Sequence, residues 1–360
     1  MTVPDDEETW ELLEEEYLPA DAMPRLEEAI RRADARRDLD LAFRLRLRAF
    51  ERGYPDVRKF VAFSWCLAHF NSDPERFAFA TANVIAGLNW IAAVAYAYPQ
   101  FTLEQIWGML EQLRDLRQRY GLSLRPVYEK IWRTALHVGD QRRMRRYHTL
   151  WTKAPRGDRT FCSACEAPQW VEYWAYQNKH DRAVAAGEPI LTGRSCLNCR
   201  GALPWSLNHL LRSLVLAGRT EEAEACHRRS HRLLARERDG NLYLSALADQ
   251  LAYVGHSANF GKAAALLEKH LLAATTTDDI DNRYRFYMAS SRFLHRVAEH
   301  KETLSLRLPR SFPLRIENGR YDPKALAVWF DEQAAPLGVR FDQRNGNHRY
   351  TKMVRQSLQY

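Results

Sequence analysis

Glycine and proline are scarce in this chain, 16 and 15 among 360 residues, and runs of β-branched residues are almost absent. That excludes collagen-like, low-complexity and strand-rich architectures. Ala, Leu, Arg and Glu dominate, so an all-α fold is expected. The start, Met1 to Trp10, lacks a basic stretch followed by an apolar one. This predicts a chain without a secretory leader and a cytoplasmic location. The motifs G-x-S-x-G, H-E-x-x-H and G-x-G-x-x-G are also missing. Paired carboxylates abound only near the N-terminus, in a helix too exposed for acid–base work. No catalytic residue is assigned, and a non-enzymatic role is expected.

Cysteines are few, six in all, but four are patterned. Cys162, Cys165, Cys196 and Cys199 form two C-x-x-C pairs separated by residues 166–195. Doubled C-x-x-C is the pattern of a four-thiolate Zn²⁺ site. Four protein ligands leave no open coordination position, so the zinc would be structural. The gap is too long for a zinc ribbon and holds one helical hairpin. Two helices of about 11 residues run about 16 Å out and the same distance back, returning the second pair to the first. Arg156, Arg159, Arg194 and Arg200 could offset the site's charge. Competing readings are a pair of disulfides, a redox C-x-x-C, for which no helix N-terminus or βαβ setting is evident, and four unrelated thiols. Cys66 and Cys226 fall in helical patterns as packing residues.

Charge is uneven. Residues 1–36 carry twelve acids and four bases, so of the overall +8 the remainder holds +16. The cluster Arg142, Arg143, Arg145 and Arg146 is its densest point, and a solvated helix face explains it best. One stretch, Phe77 to Tyr98, runs 22 residues without a charge. Its alanines and asparagines suit a helix buried against neighbours rather than a membrane span. His227 and His231 share a helix face, but the arginines around them favour solvent over metal. Gly255 to Lys262 is similar to a phosphate loop but has the wrong spacing and no preceding strand.

Apolar residues recur at three and four throughout, as in Leu207, Leu210, Leu211, Leu214 and Val215. First helices of successive hairpins are expected near Pro168, Trp205, Asn241 and Asp279, at intervals of 37, 36 and 38. Five regions follow: an acidic helix at 1–20, helical repeats at 21–153, a zinc-stapled hairpin at 154–203, further repeats at 204–302, and an extended segment with a capping helix at 303–360. The last region is expected to hold one helix at 321–335 and a turn-rich close from Phe341 to Asn347.

Over residues 168–275 the chain resembles the tetratricopeptide repeat family. Leu210 to Ala223, with Gly218 as the turn and Ala223 as the small packing residue, carries the likeness. Asn178 and Ala183 repeat it, and Gly255 to Ala263 lengthens it. The family's Trp and Tyr positions are poorly kept. The resemblance implies a right-handed α-solenoid whose first helices line a binding groove. Groove candidates are Tyr128, Trp132, Trp170, Tyr173, Trp174, Asn208, Arg212, Tyr243, Gln250, Arg283 and Arg285. Several of these aromatics would serve the core between repeats. The expected function is a protein- or peptide-binding adaptor or scaffold. Alternatives are a nucleic-acid-binding protein using the basic surface, or a peptide-sensing regulator. The acidic helix, with Glu7, Glu8, Glu11, Glu14, Glu15 and Glu16, could cover the basic array until a partner displaces it.

Overall fold

The computed structural model describes residues 7–14, 22–53, 57–157, 160–193, 203–236 and 243–356. These are 77% helical, with seventeen α-helices and one short strand pair. The chain divides into two compact units. Unit 1 comprises Met1–Tyr96, Glu104–Ile131 and His148–Pro155, and unit 2 comprises Ala97–Leu103, Trp132–Tyr147 and Arg156–Tyr360.

Unit 1 contains α1 (Glu7–Glu14), α2 (Ala22–Ala35), α3 (Leu39–Arg48), α4 (Arg58–Ser72), α5 (Thr81–Val94) and nearly all of α6 (Leu103–Arg119). The α2–α3 turn places Arg37 at φ 56, and the Asp38 side chain caps α3 by accepting from the Leu41 amide at 3.0 Å. Leu26, Ala29, Ile30 and Ala33 form the buried stripe of α2 at helical spacing. The acidic helix α1 packs on α2 and α3, with Leu12 buried and Glu11 3.6 Å from Arg25. Glu15 and Glu16 lie outside the described residues.

The uncharged stretch forms one continuous helix, Ala78–Ala97, long and apolar enough to cross a bilayer. Only 44% of its most apolar window is buried, so the expectation of a buried helix holds for one face alone. Phe79, Asn83, Ala86 and Trp90 face outward. The inner face is closely packed: a Cβ on Gly87 would stand 2.2 Å from the Phe63 ring.

Unit 2 is built from helical hairpins. Helix α7 (Arg125–Val138) contributes its second half, followed by the first half of α8 (Gln141–Lys153). Then come α9 (Ser163–Tyr176) with α10 (His180–Leu191), α11 (Leu203–Leu216) with α12 (Thr220–Leu234), and α13 (Leu244–His256) with α14 (Phe260–Thr276). Helix α15 (Ile280–Ala298) follows. Each hairpin turn has one residue in the left-handed region, Gly139, Asn178, Gly218 and Ala258, spaced by 39, 40 and 40 residues. At each, the amide of the following residue bonds the carbonyl five residues back, as Lys179 to Trp174 at 3.0 Å and Arg219 to Leu214 at 2.9 Å. This is a glycine-type helix stop used four times, with Asn and Ala taking the strain twice. The intervals exceed those expected because helix starts shift with caps, whereas the left-handed residue fixes the register. Helices α9, α11, α13 and α15 pack side by side in order, and α10 packs on α11.

The C-terminal region departs from expectation. A two-stranded ladder, β1 (Leu304–Ser305) with β2 (Arg320–Tyr321), brackets an extended segment. Helix α16 then runs from Pro323 to Asn345, not to 335, and α17 spans Arg349–Gln356. The turn-rich close is therefore helical up to Gly346, where φ 65 stops it. Burial explains the extension: Phe341 is fully enclosed and stacks on Tyr350 at 4.4 Å. Asp342 accepts from the Tyr350 and Thr351 amides at 2.8 and 2.9 Å, capping α17.

Candidate binding face and cysteine site

The first helices of unit 2 gather ionisable side chains on one face. Glu172 of α9 accepts from Arg133 Nε of α7 at 2.8 Å and lies 3.2 Å from His137 Nε2. Asp281 of α15 accepts from Arg285 Nε at 2.6 Å and from the Tyr350 hydroxyl at 2.9 Å. Asp249 of α13 sits within the field of Arg285, Arg292 and Arg212. His209 of α11 lies within the fields of Glu172, Arg133, Arg285 and His137.

Burial and charge set the protonation of these groups. Burial pushes the Asp249 carboxyl up to about 7, against the pull of the three arginines. For Glu172, burial acts upward but is outweighed by Arg133 and His137, which hold it well below its usual range. Burial lowers His209 to about 4 and also lowers His137. Near neutral pH the His209 imidazole is therefore uncharged. Arg133 thus pairs with Glu172 and Arg285 with Asp281, while Asp249 lies among Arg212, Arg285 and Arg292.

Several residues anticipated for a groove belong to this face, and others do not. Arg212 is exposed and Arg285 half-buried within the cluster. Asn208 and Gln250 are buried and bonded to each other beneath it, Asn208 also donating to the Pro204 carbonyl at 2.8 Å. Trp170 and Trp174 are half-buried and stacked at 6.5 Å, and Arg182 lies 5.1 Å from the Trp174 ring. Trp132 is core rather than groove, fully buried and edge-on to Tyr173 at 5.9 Å. Tyr243 is likewise core, 5% exposed and packed on Trp205. Arg283 donates to the Thr277 carbonyl at the start of α15 and stays outside the cluster. Tyr128 belongs to unit 1. His227 is buried against Tyr253, ring centroids 5.1 Å apart, which corrects the solvated reading. Its helix faces the core at that position, so apolar contact outweighs the flanking arginines.

Sequence reasoning missed Arg133, His137, Glu172, His209, Asp249, Asp281 and Arg292. The signal was present in the turn register. Arg133, Glu172 and Arg212 each precede a left-handed turn residue by six, and His209 and Asp249 precede theirs by nine.

At the cysteine site, Cys162 is the residue preceding α9 and Cys165 lies in its first turn. A thiol does therefore stand at a helix N-terminus, contrary to the sequence reading. Pro168 falls inside α9 rather than in its first turn, because the helix begins at Ser163. Cys162 is an exposed free thiol, and Cys165 is disulfide-bonded. Arg156 pairs with the buried Glu166 beside them. Cys196, Cys199, Arg159, Arg194 and Arg200 lie outside the described residues. Among the described residues no group of three or more His, Cys, Asp and Glu side chains converges as a metal site, but only two of the four anticipated ligands are among them. Cys66 and Cys226 are buried, donate to the Phe43 and Leu207 carbonyls, and are pushed up to about 12 by burial.

Comparison with protein-family models, curated proteins and solved structures finds no significant match.

Proposed function

We propose that this chain is a cytoplasmic, non-enzymatic adaptor that binds a protein or peptide segment across the first-helix face of unit 2. In this reading the hairpins form a tetratricopeptide-like α-solenoid. A structural zinc, held by Cys162, Cys165, Cys196 and Cys199 as thiolates in the reduced chain, steadies the α9–α10 hairpin. The observation that carries the proposal is the charged cluster itself. Packing helices needs only apolar stripes, and charged groups drawn out of water cost stability unless paired. Here Arg212 adds an arginine exposed to solvent to that cluster. The half-buried Trp170 and Trp174, with Arg182 beside them, add the composition of binding hot spots. A segment bearing a carboxylate would pair with the exposed Arg212 guanidinium.

The test is affinity capture of partners from the native cell, followed by calorimetry with the captured segment. Arg212→Glu should weaken binding by at least about tenfold, and unchanged binding would refute the site. A second reading, nucleic-acid binding, rests on Arg142, Arg143, Arg145 and Arg146, all exposed on α8. It requires RNA or DNA binding that falls steeply with added salt.

A further inference from the structure

The C-terminal region builds a second recognition element. A pocket of about 250 Å³ opens between α14, α15, the segment linking β1 to β2, and α16. Three aromatic rings wall it. Phe312 and Trp329 meet nearly edge to face at 4.7 Å, and Tyr287 stands 6.0 Å from Trp329. Pro309 and Pro313 complete the apolar wall. These positions come from three different elements, so the pocket exists only because the linking segment folds back over α15 and α16.

Its size and polarity select an occupant. Sites for free small molecules hold roughly 300–1,000 Å³, and this one is smaller, close to a single large side chain. The rings, Leu271 and the prolines are apolar, whereas Thr275, Ser311 and Gln333 give the lining a polar part, with Ser311 and Gln333 exposed. A side chain with an apolar body and a polar tip matches that division, which describes tyrosine and tryptophan. Charge narrows the choice further. From Arg307 to Arg320 the linking segment carries four arginines and one acid, Glu317, all exposed. Arg310 lies between the lining residues Pro309 and Ser311. Residues next to the inserted side chain would therefore meet positive charge on the linking-segment side, while Glu332 precedes Gln333 on the α16 side.

We propose that this pocket anchors a partner protein through one tryptophan or tyrosine flanked by carboxylates, at a site separate from the first-helix face.

The full chain is titrated into short fluorescein-labelled peptides carrying one tryptophan between glutamates, and binding is read by anisotropy. Replacing the tryptophan by alanine should weaken binding by about tenfold or more. Replacing the glutamates by lysines should weaken it too, with a difference that shrinks as salt is added. Gln333→Trp, placed at the exposed mouth, should block entry, and Arg310→Glu should abolish the preference for glutamate over lysine. Arg212→Glu should leave all of these values unchanged. Equal binding of the tryptophan and alanine peptides would overturn the proposal. So would no binding up to about 1 mM, or wild-type affinity in both folded variants. If tryptophan amide alone binds as tightly as the peptide, the pocket is a small-molecule site and the partner proposal fails.

Discussion

Gly187 gives the sharpest test of how successive hairpins meet. It lies in α10 against α11, and a Cβ there would stand 2.3 Å from Leu210 Cδ2 and 2.9 Å from Cδ1. Leu210 is itself fully buried, so it has no free space to move into. Overpacking of this kind costs about 1–3 kcal/mol. Replacing a helical glycine by alanine returns about 1 kcal/mol through backbone entropy. Gly187→Ala should therefore destabilise unit 2 by up to about 2 kcal/mol, or up to about 8 °C in Tm. Gly261 in α14 is the control, because nothing lies within 4 Å of its added Cβ. Gly261→Ala should stabilise by about 0.5 kcal/mol. The same chemical change thus has opposite signs at two sites. The assay is urea unfolding, read as a shift in midpoint at constant slope. Combining Gly187→Ala with Leu210→Ala should remove the clash, so Gly187→Ala adds no cost in that background. If Gly187→Ala stabilises as much as Gly261→Ala, the α10–α11 contact is not as described.

Three further outcomes are expected. Ala258 holds φ 56 where its counterpart Gly218 holds φ 72. Ala258→Gly should therefore raise stability by about 0.5–1 kcal/mol in thermal unfolding, while Gly218→Ala should lower it by about 1 kcal/mol. Asp249, raised to about 7 by burial, binds a proton in the folded chain that the unfolded chain has lost above about pH 4. Stability from this group falls as pH rises from about 4 to 7, so Asp249→Asn should match wild type at pH 4 and exceed it at pH 8 in denaturant titrations. Reduced protein purified without chelator should carry one zinc per chain by elemental analysis, and Cys165→Ser should lose it. Zinc-free reduced protein would remove the metal from the account.

The helices were legible because their apolar stripes repeat at three and four, and the turns because Gly139, Asn178 and Gly218 are residues that accept a left-handed backbone. The turn at Ala258 was blurred, since alanine gives no such signal and Gly255 three residues earlier drew the eye. Gly255 is helical, packed closely on Phe293. The charged face was only half visible. Aromatic and arginine residues drew notice by type, whereas Glu172, His209 and Asp249 look like ordinary surface residues until register places them together. Trp132 and Tyr243 are among the aromatics that fall to the core rather than the groove. Their bulk suits either a groove or a core, and only packing distinguishes the two. The C-terminal pocket had no sequence signal at all, because it is assembled from Tyr287, Phe312 and Trp329 across a fold-back that local pattern does not encode.

The central claim is that the charged face of the first helices binds a polypeptide. Calorimetric titration of the full chain with the segment captured from its native cell, repeated with Arg212→Glu, tests it most directly. The account predicts saturable binding that weakens by at least about tenfold in the variant, with unfolding unchanged. Equal affinity in the two proteins, or no polypeptide captured by the wild type, would contradict it.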